Sequence, residues 1–353
     1  NGQVAGVVTS DGSTFRARAV VLTAGTFLRG TIHLGPQTRI GAGRAGDPPS
    51  IRLAQQLEGL GLQAERFKTG TPPRIDGRTV NFDRFERQDG QADGHRFSHW
   101  ENSGGLPPLP CWIGSAGPEV KMIVEQNLES SALYGGEISS LGPRYCPSIE
   151  DKVVKFPAAE RHQVFLEPEG LETTELYVNG LSTSLPPDVQ RAFLQAVPGL
   201  ESAHMTQPGY AIEYDYFSPD KLTSSLALPE LPGLWLAGQV NGTTGYEEAA
   251  GQGVVAGINA ALSILGRDAW VPARDEAFLG VLVDDLVTRG VDEPYRLFTS
   301  RAEFRLILRQ DNCLSRLGPA AERLGLLTDT ERAALEHHME QLERTRRWVS
   351  ETR

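Results

Sequence analysis

LPGLWLAGQVNGTTGYEEAAGQGVVAGINAALSILG, residues 231–266, is the stretch on which the fold turns. Leu234 to Ala237 is a short apolar run with the character of a buried strand. A loop of glycine and threonine follows from Gly238 to Gly245, and from Tyr246 the pattern is helical. The helix is rich in small residues (Ala249, Ala250, Gly251, Gly253, Ala256 and Gly257), which allow it to lie close on a sheet. Strand, glycine-rich loop and helix in that order aim the free N–H groups of a helix N-terminus at a phosphate or a ring. A plain tight βα crossover reads the same way. Residues 41–46, GAGRAG, have the GxGxxG spacing but follow no apolar strand run, so the dinucleotide fingerprint proper is missing.

Outward on the N-terminal side, RARAVVLTAGTFLRG (residues 16–30) holds a continuous apolar run from Arg18 to Thr23. It has the pattern of a strand buried on both faces of a parallel sheet. The run ends in Thr23-Ala24-Gly25-Thr26, small residues that permit close approach of another molecule or simply a tight turn. GAGRAGDPPSIRLAQQLEGLG (residues 41–61) predicts a helix with Asp47 as N-cap, Pro48 in its first turn and Gly59 and Gly61 at its end. Gly41, Gly43 and Gly46 ahead of it form either an anion seat or an ordinary turn. The opening residues predict two short strands around an Asp11-Gly12 turn. A chain that opens inside a hairpin reads as a truncated one.

From about Glu65 the texture changes to short strands punctuated by proline and glycine, with a polar loop expected over 87–111. Residues 142–156, 162–170 and 174–186 read as strands with turns, and 187–197 as a short helix. This is an inserted second unit. After Trp270 helical, charged sequence resumes: a helix is expected over 276–290 and another from Asp329. Between them Arg301, Arg305 and Arg309 stand four residues apart, a stripe on one face of a predicted helix anchored by Phe298, Leu306 and Ile307. Such a stripe either reads phosphate or pairs with carboxylates such as Asp284, Asp285 and Glu303. The domain reading is therefore 1–66, an inserted 67–225, a return over 226–268, and a helical unit over 269–353.

Composition narrows the function. Hydrophobic content of 39% with 22% charged residues is that of a soluble globular protein. No run approaches the roughly 18 apolar residues of a membrane span. A formal net charge of −11 argues against nonspecific coating of nucleic acid but leaves room for a local basic patch. Cys111, Cys146 and Cys313 are scattered, without zinc-ligand spacing, which fits a reducing cytoplasm; no metal site is expected. Cys146 is the one in a polar, charge-dense setting, with Arg144 and Lys152 near it in sequence to favour a thiolate, while Cys111 and Cys313 read as small apolar residues.

GAGRAGDPPS (41–50), KTGTPPRID (68–76), GPRYCPSIEDK (142–152), FLEPEG (165–170), NGLSTSLP (179–186), PGYAIEYD (208–215), AGQVNGTTGYEEAAGQG (237–253) and EPYRLFTSRAEFRL (293–306) occur in one order along the chain. Together they resemble the MnmG (GidA) family. The resemblance implies an α/β fold: a glutathione-reductase-like FAD-binding domain with an inserted α/β second domain, followed by the start of an α-helical domain. It implies a cytoplasmic flavoprotein that adds a (carboxymethyl)aminomethyl group to carbon 5 of the wobble uridine of tRNA. FAD, NAD(H) and methylene-tetrahydrofolate would serve it. The GTPase MnmE would be its partner, with a homodimer and a heterotetramer with MnmE expected. The family's GxGxxG loop and an early cysteine would lie upstream of Asn1, and most of its helical region beyond Arg353, so weak FAD retention by this stretch alone is expected.

By the same matching, Cys146 and Lys152 are the catalytic candidates. Ser50 and Gln239 carry over as flavin contacts, with Gly25, Thr26, Gly46, Asp47, Lys68, Thr69, Gly238, Asn241, Gly242, Thr243, Thr244 and Gly245 around them. Lys68, Thr69 and Thr71 are expected to face the isoalloxazine ring. Gly142, Pro143, Arg144, Tyr145, Pro147, Ser148, Ile149, Glu150, Asp151, Val153, Val154, Lys155 and Phe156 form the expected nicotinamide segment. Arg301 and Arg305 are the tRNA candidates. A folate- and flavin-dependent tRNA methyltransferase of the TrmFO type is the nearest rival, and a non-catalytic tRNA- or partner-binding scaffold is the rival from another class.

Overall fold

The structure, a computed structural model, describes residues 2–90, 98–100, 107–144 and 147–352. The chain begins with a hairpin of β1 (Gly6–Val8) and β2 (Thr14–Arg16), then β3 (Val20–Leu22), β4 (Thr31–Leu34), β5 (Thr38–Gly41) and α1 (Ile51–Gly59). Next come β6 (Ala64–Thr71), β7 (Arg74–Asp76), β8 (Glu86–Gln88), β9 (Cys111–Ala116), α2 (Pro118–Gln126) and α3 (Ile149–Lys155). They lead to β10 (His162–Pro168), β11 (Glu175–Asn179), α4 (Pro187–Gln195), β12 (Met205–Gln207) and β13 (Tyr210–Phe217). The last elements are β14 (Leu234–Leu236), α5 (Tyr246–Ile264), α6 (Phe278–Arg289), α7 (Cys313–Leu324) and α8 (Asp329–Glu351).

Two cores divide the apolar side chains. One lies between the six-stranded sheet β12-β7-β11-β10-β9-β8 and helices α2, α3 and α4, around Val124, Ile149, Val164, Leu166 and Phe193. Period-2 alternation in β10 and β11 places Val164, Leu166, Leu176 and Val178 on the helix-covered face. The other core joins α1, α5 and α6 to the parallel pair β14-β3, whose register sets Leu234 against Val20 and Leu236 against Leu22. A second sheet, β5-β4-β13-β6, adds Phe217 to the latter core. Its β13 pairs along its full length with β6, from Tyr210–Thr71 to Phe217–Ala64.

Several expectations change on contact with the fold. The helix after the 41–46 glycines starts at Ile51, with Ser50 rather than Asp47 at its N-cap. Asp47 instead closes a short bridge with Arg44, which uses up the turn before the helix. Residues Ile149–Lys155, read as strand, form α3: the Ser148 hydroxyl accepts from the Asp151 N–H at 3.2 Å, an N-cap that outweighs the β-branched run. The arginine stripe does not exist as a helix face. Residues Thr299–Arg301 make one 3-10 turn and 303–307 continue as turns, so the four-residue spacing confers no common face. Leu306 and Ile307, expected as anchors, are 80% and 52% exposed. Most of the expected 87–111 loop lies outside the described residues.

Candidate cofactor loop and flanking cleft

β3 and β14 run side by side in the same direction, so the turns at their carboxyl ends, Thr23–Thr26 and Gly238–Gly245, emerge together. In open α/β sheets this is where ligands sit, because the helix N-terminus and the strand ends both leave N–H groups unclaimed. Gly25 has φ +58, and a side chain there would begin 3.4 Å from Gln239 Oε1, so the two loops touch at these residues. Gly238 and Gly242, at φ +91 and +82, turn the chain where a β-carbon is disfavoured.

One residue holds the glycine-rich loop from inside. Gln252, fully buried on α5, accepts from the Gly238 N–H at 3.1 Å and from Asn241 Nδ2 at 2.8 Å, and donates to Thr243 Oγ1 at 2.9 Å. Sequence reading missed it. The available signal was a lone glutamine among the small residues of the helix, between Gly251 and Gly253. With the loop so fixed, Asn241 Oδ1, Thr244 Oγ1 and Glu248 Oε2 are buried without a hydrogen-bond partner among the described residues. Buried oxygens in native structures are normally bonded, so these three are open to the donors of a ligand.

The loop 41–50 is fastened to the same place. Thr26 Oγ1 donates to Gly43 O at 2.5 Å, the Ser50 N–H to Phe27 O at 2.8 Å, and the Ala45 N–H to the Tyr210 hydroxyl at 3.2 Å. Gly43 leaves no room for a side chain against the Phe27 ring. Thus Ser50, Gly25, Thr26 and Gln239 are brought to one locality, with Gly46 and Asp47 on the exposed turn beside it. The far wall is aromatic: Gln239 Nε2 donates to the Tyr214 hydroxyl at 3.4 Å, and Phe67 stacks on Tyr216 at 3.8 Å between ring centres. Burial holds the Tyr214 phenol above its ordinary pKa, so it stays protonated.

Lys68 and Thr69 lie on opposite faces of β6, so Lys68 cannot share a ring face with Thr69 and Thr71. Thr69, opposite Ile212, is on the Tyr214 side. Lys68 is buried and turned to the segment at Gly142, with its Nζ 3.7 Å from Asp151 Oδ2. Asp151 also holds Lys155 at 2.7 Å and accepts from the Tyr134 hydroxyl at 3.2 Å. Burial pushes its carboxyl up, but Lys155, Lys68 and Tyr134 together bring it below the usual carboxylate value.

Of the expected nicotinamide segment, Ile149, Glu150 and Val153 point into the core. Glu150 is tied there by the Thr183 hydroxyl and by the Ser184 N–H and hydroxyl. Val154, Lys155 and Phe156 are exposed, and Pro143 and Ser148 border a small cavity with Lys68. Tyr145 and Cys146 lie outside the described residues. Arg144 pairs with Glu293 at 2.9 Å and Lys152 Nζ donates to Gly180 O at 2.8 Å, so both cations have partners of their own. Cys313, read as apolar, has its Sγ 2.9 Å from His99 Nε2. Cys111 is half-buried, and burial raises its thiol pKa.

The carboxylates once matched with Arg301 and Arg305 belong to Arg274, which binds Asp284 at 2.9 Å and Asp285 and Glu303 at 2.8 Å. Arg305 is exposed on the turn with Phe304 and Leu306. Arg301 lines a cleft of about 550 Å³ at the end of α6. Cleft and cofactor loop are joined: the Tyr295 N–H donates to Gly242 O at 2.9 Å, and Glu248 Oε1 accepts from the Leu297 N–H at 2.8 Å and from Arg296 at 3.1 Å.

These elements have counterparts in solved proteins. GidA from Aquifex aeolicus in its form I crystal is 48% identical, aligned over 99% of this chain and 59% of that one, with a TM-score of 0.90. The form II crystal gives 45% identity, 99% and 56% coverage and a TM-score of 0.88. The chain therefore spans under two thirds of the length of these GidA chains. The family described as Glucose inhibited division protein A matches residues 1–268, so the chain belongs to the GidA family.

Proposed function

We propose that this chain is the flavin- and substrate-handling part of a tRNA-modifying enzyme that elaborates carbon 5 of the wobble uridine. The observation that carries the reading is the meeting of the 23–26, 41–50 and 238–245 loops at the ends of two parallel strands, beside buried oxygens with no partner among the described residues. Such a seat fits a flavin: backbone N–H groups and the α5 N-terminus suit its oxygens, and Asn241 and Thr244 suit its polar edge. Ser50, Gln239, Gly25 and Thr26 would hold it in a glutathione-reductase-like domain made of 1–66 and 226–268. When bound, FAD supplies redox chemistry, with NAD(H) as reductant and methylene-tetrahydrofolate as one-carbon source. The exposed side of 142–156 would receive the nicotinamide.

Carbon 5 of uracil is a weak nucleophile until a group adds at carbon 6. Cys146 is proposed to supply that group as thiolate: the S–C6 bond forms while the C5–C6 π pair moves toward C5 and O4, leaving C5 reactive. Lys152, on α3 with its Nζ donating to Gly180 O, would keep the local charge favourable. Arg305 and Arg301 would contact tRNA phosphate. MnmE as GTPase partner, a dimeric assembly and a cytoplasmic location complete the reading; among the described residues no helix is long and apolar enough to cross a membrane. The test is Cys146→Ser, scored by mass spectrometry of the wobble nucleoside. Modification is expected to vanish while flavin content and melting temperature stay as in wild type. Retained modification would remove Cys146 from the chemistry, and loss of flavin would assign it a structural role.

A further inference from the structure

Gln239 and Tyr214 meet where the two strand-end loops touch, and only the glutamine side chain is free to turn. Gln239 opens a 3-10 turn, Gln239–Asn241, whose backbone is fixed on both sides. Gln252 holds the Gly238 N–H and the Asn241 side chain, and Gln239 O accepts from the Gly242 N–H at 2.9 Å. The Gln239 side chain is half-buried, with Oε1 3.4 Å from where a β-carbon on Gly25 would lie. Tyr214, by contrast, is fully buried and stands opposite Phe67 in the register of β13 with β6. Phe67 and Tyr216 stack beneath Gly242, where a β-carbon would fall 3.1 Å from Tyr216 and 3.4 Å from Phe67. The aromatic platform is therefore rigid and the amide above it can rotate.

A phenol both donates and accepts, and here only its acceptor side is used. The Tyr214 oxygen accepts from Gln239 Nε2 at 3.4 Å, a long bond, while its hydrogen meets no acceptor among the described residues. Burial holds the phenol above its ordinary pKa, so that hydrogen is always present. A buried donor without an acceptor is costly, and a half-turn of the Gln239 amide removes the cost: Oε1 then accepts from Tyr214, and the two Nε2 hydrogens turn to the Gly25 side. We propose that Tyr214 is a positioning residue acting through Gln239, holding the amide with its nitrogen toward the cofactor seat as a donor to an aromatic ring rich in acceptors. The inference rests on the flavin reading above and deepens it. Beside this donor, Asn241 Oδ1 and Glu248 Oε2 are acceptors, so the loop offers both kinds of group to a ring that carries both. Reduction adds electrons to the ring and makes its nitrogens and oxygens better acceptors, so a fixed donor favours the reduced form.

The experiment is a redox titration of the FAD-loaded protein, followed by its visible spectrum. Tyr214→Phe keeps the buried ring and removes only the hydroxyl. It is expected to lower the preference for reduced over oxidised flavin roughly tenfold, a fall of about 30 mV in midpoint potential for a two-electron couple, with flavin content unchanged. Gln239→Met, loaded with excess FAD, changes a half-buried side chain and should give a similar fall even if Tyr214→Phe folds poorly. Adding Tyr214→Phe to Gln239→Met should then lower the potential no further, because the phenol acts only through the amide. A tyrosine that merely fills space would change the melting temperature and leave the potential alone. An unchanged potential in Tyr214→Phe, or a second full step in the double variant, therefore overturns the proposal while leaving the flavin reading intact. A rise in potential overturns it as well, since it would put Oε1 rather than Nε2 at the ring. Wild-type protein that takes up no FAD overturns the flavin reading itself and the proposal with it.

Discussion

The glycine-rich loop 238–245 and the arginine segment 296–309 are neighbours that behave in opposite ways. The loop forms where its local sequence places it, because its shape is set by backbone: positive-φ glycines, one buried glutamine, and small side chains that tolerate nothing larger. The arginine segment has a helical spacing that the fold ignores. Arg274, from a loop 27 residues before Arg301, captures Asp284, Asp285 and Glu303 and bonds Arg301 O at 3.2 Å, pinning the segment in turns. A pattern enforced by steric exclusion survives folding. A pattern resting on exposed charges is rewritten by whichever partner arrives, since such pairs are worth little individually.

If that contrast is right, the largest stability loss should come from the buried member of the Arg274 network. Asp285 is 2% exposed and serves both Arg274 and the Tyr295 hydroxyl. Asp285→Ala leaves the Tyr295 hydroxyl without its acceptor and takes from Arg274 its buried partner, leaving it Asp284 and Glu303, and is expected to cost about 3 kcal/mol in denaturant unfolding. A loss under about 1 kcal/mol would mean the network is held elsewhere.

The steric half of the contrast is sharpened by two glycines. At Gly245 a β-carbon would fall 1.6 Å from Glu248 Oε2, so Gly245→Ala must expel the carboxylate from the Leu297 N–H, at about 2 kcal/mol. At Gly253, within α5, nothing lies within 4 Å, and Gly253→Ala should stabilise by about 0.5–1 kcal/mol through helix propensity. Thermal melts that gave both variants the same sign would contradict the distinction drawn between caged and open glycines.

The smallest effect is on pH dependence. Asp151 titrates below its ordinary value because Lys155, Lys68 and Tyr134 outweigh its burial. Its folded pKa is depressed, so its contribution is fully present above the unfolded value of about 4 and fades as pH falls through the folded one. Unfolding free energy measured from neutral to acid should therefore decline on acidification, and less steeply in Asp151→Asn, which starts lower at neutral pH. Identical slopes in the two proteins would show that Asp151 is not a significant acid-labile contact.

Sequence alone determined the elements whose cause is local: the Asp11-Gly12 hairpin, strand Leu234–Leu236, the loop after it, α5, α6, and the helix from Asp329 that is α8. It also placed Gly25, Ser50 and Gln239 in one family pattern without saying that they meet. Tertiary structure decided what depends on partners distant in the chain. Which face of β6 meets the cofactor loop was decided by its pairing with β13, which sets Lys68 opposite Glu213 and Thr69 opposite Ile212 on the Tyr214 side. Residues 149–155 became helix because Ser148 caps them and Glu150 finds Thr183 and Ser184 inside the core. Arg301 gained its platform because Tyr295 is clamped by Asp285, a contact between segments that no spacing within either one encodes.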